Sequence, residues 1–339
     1  MTITRLAAVL APLLALASVP AVAALLAGSD NPLIHTYSIV ARDPKTGELG
    51  VAVQSHWFSV GSLVTWAEPG VGAVATQSIV EVSYGPLGLE RMRSGKSAPD
   101  ALKELLAADP QRDVRQVAMI DAQGRVAAWT GPSCIPEAGD VQGEQFSAQA
   151  NLMASAKVWP AMKKAFESAS GDLADRLLAA LDAAEAAGGD IRGRQSAALL
   201  IVKGERTDAP WSGKLFDLRV EDHPWPLKEL RRLVAVQRAY RFADRGDTLV
   251  AEGKVPEAMA AYSKASELLP GNLELLYWKA VGFWNAGRKE DALPVFRQVF
   301  RREPAWKTLT PRLVPIGLLK ADAGELEAIL TGRLRTRKP

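Results

Sequence analysis

Cysteine is almost absent from this chain. A single thiol, Cys134, stands alone in 339 residues, so no intramolecular disulfide and no thiolate metal cluster can be built. Histidine is scarce as well. His35, His56 and His223 are scattered, and none falls in an HxxxH or HExxH spacing, which argues against zinc. No motif sets His56 beside Cys134, so the cysteine reads as a buried, inert thiol rather than a nucleophile. Excess charge is missing too. A formal net charge of +3 gives no reason to invoke nucleic acid or an anionic membrane. The basic run RLRTRK at 333–338 reads as a solvated terminus. No GxGxxG or GxxxxGK(S/T) loop follows a strand pattern, so no phosphate-bearing cofactor is expected.

What is present begins with a targeting pattern. MTITR supplies one positive charge, and the stretch from Leu6 to Ala27 carries none. Ala21-Val22-Ala23 is an A-x-A site preceded by the helix breaker Pro20. Cleavage there makes residues 1–23 a signal peptide, residues 24–35 a leader, and the protein periplasmic or secreted, with no stable membrane span. An uncleaved anchor is the alternative, because the run has the ~20 residues needed to cross a bilayer.

Residues 36–221 read as short strands interleaved with helices, the pattern of an α+β domain. Strands are expected at Tyr37–Arg42, Leu49–Gln54, Leu63–Trp66, Gly72–Gln77, Gln116–Asp121, Val126–Thr130, Phe146–Ala150 and Ala197–Lys203. Helices are expected at Gly85–Ser94, Ala98–Ala107, Val158–Ala169 and Leu173–Ala187, the last closed by Gly188-Gly189. Strands arrive as hairpin neighbours, DPKTG and DAQG being tight turns, which favours antiparallel sheets covered by helices. Nine tryptophans, Trp57, Trp66, Trp129, Trp159, Trp211 and Trp225 among them, read as half-buried packing or as pocket walls.

The composition changes at Asp222-His223-Pro224-Trp225-Pro226. Residues 222–238 read as linker and first helix, and 239–339 as helical repeats with a cap. Pro270 and Pro304 lie 34 residues apart. Phe242, Gly246, Leu249, Gly253, Ala258, Tyr262 and Ala265 precede the first. Leu276, Ala280, Phe283, Gly287, Ala292, Phe296 and Val299 precede the second. This alternation resembles the tetratricopeptide repeat, with Arg245 where that family usually has leucine. A stacked helical module implies a protein partner.

The candidate chemistry starts at Thr36. It heads an expected hairpin strand, the way N-terminal-nucleophile (Ntn) hydrolases present a Thr, Ser or Cys whose own freed α-amine is the base. Several separate motifs resemble a bacterial family known as domain of unknown function 1028. They are TYSIVARDPKTGELGVAVQS at 36–55, GVGAVATQ at 70–77, YGPLGL at 84–89, RQVAMIDAQGRVAAWTG at 115–131, CIP at 134–136, QAN at 149–151 and RGRQSAALLIV at 192–202. The resemblance implies a four-layer αββα Ntn-hydrolase-like sandwich, followed here by an all-α tetratricopeptide-like domain. It implies an amidohydrolase acting on a small amide or peptide, and a homodimer is compatible with such a sandwich. The same chain reads, in the other direction, as a non-catalytic ligand-binding domain carried on an envelope adaptor.

In the family, the position of Thr36 often directly follows the initiator methionine. Here it is internal, so arming it requires a cut between His35 and Thr36. Gln54 and Ser55 fall where related threonine hydrolases place an acid and a serine. Asn151 is a candidate oxyanion donor, with Ala150 where relatives commonly carry glycine. Thr76 and Gln77, at a strand end, complete the catalytic set. Tyr84, Arg192, Arg194 and Gln195 are candidate substrate contacts, the arginines by pairing with a carboxylate. No metal ligands are expected.

Overall fold

A computed structural model describes residues 33–34 and 36–333. The expected signal peptide 1–23, most of the leader, His35 and the tail beyond Arg333 lie outside the described residues. Among the described residues no helix is long and apolar enough to cross a membrane.

Two antiparallel sheets form the first part. Sheet I contains β1 (Leu33–Ile34), β4 (Thr65–Glu68), β5 (Gly72–Ile79), β6 (Arg115–Asp121) and β7 (Val126–Thr130). Its order is β1-β5-β6-β7, and β4 also pairs with β5. Sheet II contains β2 (Thr36–Arg42), β3 (Leu49–Ser55), β8 (Gly139–Gly143), β9 (Phe146–Ala150), β10 (Ser196–Val202) and β11 (Lys214–Val220), in the order β11-β10-β3-β2-β9-β8. The β2–β3 hairpin is set by Asp43, whose carboxylate accepts the backbone N–H groups of Lys45 at 2.7 Å and Thr46 at 3.1 Å. Gly47 closes that turn at φ +76°, in the left-handed region that glycine enters without cost.

The sheets lie face to face. Val40, Val51, Val53 and Leu200 of sheet II meet Ala73, Ala75, Ala118 and Ile120 of sheet I in one buried cluster. Alternate residues serve the outer faces, as the two-residue strand period requires. On sheet I, Val74, Val117 and Met119 pack against α2 (Tyr84–Arg93) and α3 (Ala98–Ala108). On sheet II, Tyr37, Ile39, Phe146 and Leu199 pack against α4 (Val158–Ser168) and α5 (Leu173–Ala186). The layer sequence is therefore helix, sheet, sheet, helix. The strand expected at Leu63–Trp66 begins two residues later: residues 61–64 form a short helix, α1 (Gly61–Val64), and β4 follows it. Three further strands lie outside the sequence expectation. β8 is polar and half-exposed at one sheet edge, β11 is a mixed edge strand that buries Phe216 and Val220, and β1 is only two residues long.

Helices make up the rest. α6 (Pro226–Ala251) is one continuous rod of 26 residues. The expected boundary between linker helix and first repeat, at 238/239, falls inside it. Leu227, Leu230 and Val234 complete the outer core of sheet II, while Leu249 enters the core of the helical part. α7 (Val255–Leu268) folds back on α6, and α9 (Lys289–Arg302) folds back on α8 (Leu273–Asn285). The two tight turns carry Gly253 at φ +75° and Gly287 at φ +78°. Gly246 lets α6 approach the ring of Tyr262, which a Cβ there would meet at 2.6 Å. α10 (Ala305–Leu309) and α11 (Ala323–Thr331) finish the chain.

Candidate functional site

Strand register brings Thr36, Ser55 and Ser196 into one row at the same end of sheet II. Thr36 pairs with Ser55 across β2 and β3, and Ser55 with Ser196 across β3 and β10. Asn151 extends the row beyond β9, its backbone N–H donating to the carbonyl of Thr36 at 3.1 Å. All four are fully buried. Thr36 and Ser38 share the strand face of Val40, so they point between the sheets, toward Gln77 and Gln116 on the facing strands β5 and β6.

A buried chain of amides and hydroxyls fills this gap. Ser147 Oγ donates to Gln149 Oε1 at 3.0 Å, Gln149 Nε2 to Ser38 Oγ at 2.7 Å, and Ser38 Oγ to Gln77 Oε1 at 2.6 Å. Gln77 Nε2 donates to Gln116 Oε1 at 2.7 Å and to the Thr36 carbonyl at 3.2 Å. Asn151 Nδ2 donates to the same Gln116 oxygen at 2.9 Å. Gln116 Nε2 reaches Thr130 Oγ1 and the Ala150 carbonyl, each at 2.9 Å. Thr130 then donates to Asp140 at 2.6 Å. Asp140, at the outer end, is the one ionisable group in this chain of contacts. Amides orient and polarise but carry no charge, so among the described residues this network sets no side-chain base beside Thr36.

Four buried side-chain atoms lack a partner among the described residues: Arg42 Nε, Gln54 Oε1, Ser78 Oγ and, within this row, the Thr36 hydroxyl. The Oγ1 of Thr36 is buried and has no hydrogen-bond partner among the described residues. A buried hydroxyl without a partner costs about 1–3 kcal/mol, and such exceptions need an explanation. Directly upstream, β1 pairs with β5 through Leu33–Ile79 and Ile34–Ser78. It occupies the part of the β5 edge that β4 leaves open, since β4 covers only Gly72 to Ala75. The chain thus crosses from sheet I to sheet II immediately before Thr36, whose α-nitrogen is a peptide nitrogen.

Of the expected site residues, Thr36, Ser55, Gln77 and Asn151 come together. The others do not. Gln54 is adjacent to Ser55 in sequence and therefore on the opposite face of β3. Its Nε2 donates to Glu185 at 3.0 Å, beside the Tyr37 hydroxyl at 2.9 Å from the same oxygen. Burial, and then the Glu185 charge, push the Tyr37 phenol up, so it stays protonated. Thr76 faces outward for the same reason, donating to the Glu81 carbonyl at 3.0 Å. Tyr84 belongs to the outer helical layer and meets Asp109 at 3.1 Å, its phenol raised by burial first and by Asp109 second. Arg192 is tied to Asp190 at 2.7 Å. Arg194 pairs with Glu185 at 3.1 Å and lies 4.1 Å over the Trp225 ring. Gln195 acts through its backbone, linking Ser55 and His223. Cys134 is buried with its thiol raised by that burial, as an inert cysteine should be.

Sequence reasoning missed Ser38, Gln116, Gln149 and Ser196. For three of them the signal was present: Ser38, Gln116 and Ser196 are polar residues in phase with apolar residues on the inward face of a buried strand, whereas Gln149 shares its face only with Ser147. Among the described residues no cluster of metal-ligating side chains occurs.

Comparison with known proteins places the chain. Residues 36–230 match the family described as a family of unknown function (DUF1028), and the chain belongs to it. The crystal structure of protein SPO2555 from Silicibacter pomeroyi, which carries the same family domain, is similar. It shares 32% identity, covers 59% of this chain and 88% of its own, and superposes with a TM-score of 0.54. Residues 231–339 lie outside the family match. No curated protein matches.

Proposed function

We propose that this chain is the precursor of an exported Ntn-type amidohydrolase with Thr36 as nucleophile. The observation that carries the reading is the buried, unpartnered Oγ1 of Thr36 at the head of a central strand, ringed by hydroxyls and amides. The helix–sheet–sheet–helix layering supports the Ntn-like assignment. Thr36 would become active when the bond from His35 is cut. Its freed α-amine would then accept the Oγ1 proton, since no side-chain base adjoins it among the described residues. Oγ1 would attack the substrate carbonyl, and a donor such as Asn151 Nδ2 would stabilise the oxyanion. Collapse would release the amine, which takes the proton, and leave an ester on Thr36. Water would then hydrolyse that ester.

The test is N-terminal sequencing and intact mass of the mature protein, followed by trapping with an electrophilic amide analogue. A chain beginning at Thr36 that forms a covalent adduct, lost in Thr36→Ala, supports the reading. A mature chain that retains its leader sinks it.

A second reading has its own support. β1 holds the leader in sheet I, and the neutral amide network contains no lysine. On this reading the first part is a ligand-binding module and the tetratricopeptide-like helices carry a protein partner. Thr36→Ala would then leave partner binding unchanged.

A further inference from the structure

The helical part contains a cavity of about 710 Å³ between α6 and α8, closed at one end by residues 317–320. Asn285 holds that end in place. Its Nδ2 donates to the Leu318 carbonyl at 2.9 Å and its Oδ1 accepts the Lys320 N–H at 2.9 Å. The floor is apolar, formed by Val250, Leu275, Trp278 and Val281. The lip is acidic. Asp244 and Asp247 project from α6, one turn apart, and Glu274 stands opposite on α8. Lys320 is the one basic side chain among the lining residues.

Two of these carboxylates are fixed in place by phenols. The Tyr262 hydroxyl donates to Asp247 and the Tyr240 hydroxyl donates to Glu274, which orients both acids. Burial raises the Asp247 carboxyl, the Tyr262 hydrogen bond opposes this, and the Asp244 charge adds to the rise. Like charges three residues apart on a helix repel, and a cation placed between them would relieve that repulsion. The partly exposed rings of Tyr240 and Trp278 suit the aliphatic stem and charged head of a long basic side chain.

We propose that this groove binds an extended, lysine- or arginine-bearing segment of a partner protein, with its cationic side chains at Asp244, Asp247 and Glu274 and an apolar side chain on Trp278. The proposal deepens the reading of the helical part as an interaction module and is independent of catalysis at Thr36.

Titration of the full chain with two blocked peptides, GKLGRLGKL and GELGELGEL, tests it by fluorescence anisotropy. The basic peptide should bind and weaken as salt is raised, and the acidic one should not bind. The double substitution Asp244→Asn and Asp247→Asn should weaken the basic peptide about tenfold or more. Asp291→Asn on α9, whose partner is Arg288, should leave it unchanged, and circular dichroism should confirm that both variants fold. Equal binding of both peptides, or indifference to the double substitution, overturns the charge assignment. Binding of neither peptide overturns the interaction-module reading as well. Binding that emerges only after removal of residues 334–339 would make the chain's own basic tail the occupant and overturn the external partner.

Discussion

At the scale of single residues, the orphaned hydroxyl of Thr36 makes a prediction separate from catalysis. Thr36→Val keeps the shape and removes the unpaired oxygen. It should stabilise the precursor by up to about 1 kcal/mol in urea unfolding, because no hydroxyl is then buried at that position without a partner. A loss of stability would show that the hydroxyl is paired in solution. Gln116 is the opposite case, since its amide joins Gln77, Asn151, Thr130 and Ala150. Gln116→Leu should cost about 2–4 kcal/mol, because several buried donors and acceptors lose their partner at once. Asp247 adds a pH dependence. Its carboxyl is raised in the folded chain, so the folded state holds that proton more tightly than the unfolded one. Stability therefore declines as pH rises from the ordinary carboxylate range through the raised value. Asp247→Asn should gain on the parent at neutral pH and lose that gain in acid, read by thermal unfolding at the two pH values.

At the scale of elements, β1 is the piece whose removal matters. While it pairs with Ser78 and Ile79, the strand edge there is covered and its amides are shielded. Cutting the chain before Thr36 should expose that edge, and hydrogen exchange at the β1-facing amide of the Ser78–Ile79 pair should accelerate while the β4-covered residues Ala73 and Ala75 stay protected. Unchanged protection would mean that β1 remains bound after the cut. Among helices, Gly282 makes a tight contact beside the groove, because a Cβ there would come within 2.5 Å of the Tyr262 hydroxyl. Gly282→Ala should displace that hydroxyl from Asp247 and destabilise by about 1–3 kcal/mol.

At the scale of the whole molecule, α6 joins the two parts as a shared structural member rather than a tether. Its first half buries Leu227, Leu230 and Val234 on sheet II, burial worth about 4–9 kcal/mol. A chain ending at residue 225 should therefore melt far lower, or aggregate, whereas one ending at residue 252 keeps α6 and should fold. The family match ends at residue 230, inside this helix, so a chain trimmed there would lose Val234 from the core and leave α6 little more than one turn long.

Much of this was legible in one dimension. Alternating apolar residues marked most strands, and glycine and proline marked turns. The recurrence of small and large residues at a period of 34 marked the paired helices, where Gly246 does meet Tyr262. The edge strand β8 carried no such alternation, because half-exposed edges are not under that constraint, whereas β11 did, with Phe216, Leu218 and Val220 alternating with Asp217 and Arg219. Local sequence determined which residues could form strands, where turns fall and that Thr36 heads a strand. The tertiary structure alone decided which polar residues meet. Gln54 and Ser55 are neighbours in sequence but lie on opposite faces, one against Glu185 and the other in the row with Thr36. Side chains alternate along a strand, whereas register and sheet stacking join strands far apart in the chain. That is why Gln116 and Asn151 share a hydrogen bond and why the Thr36 hydroxyl is left without one.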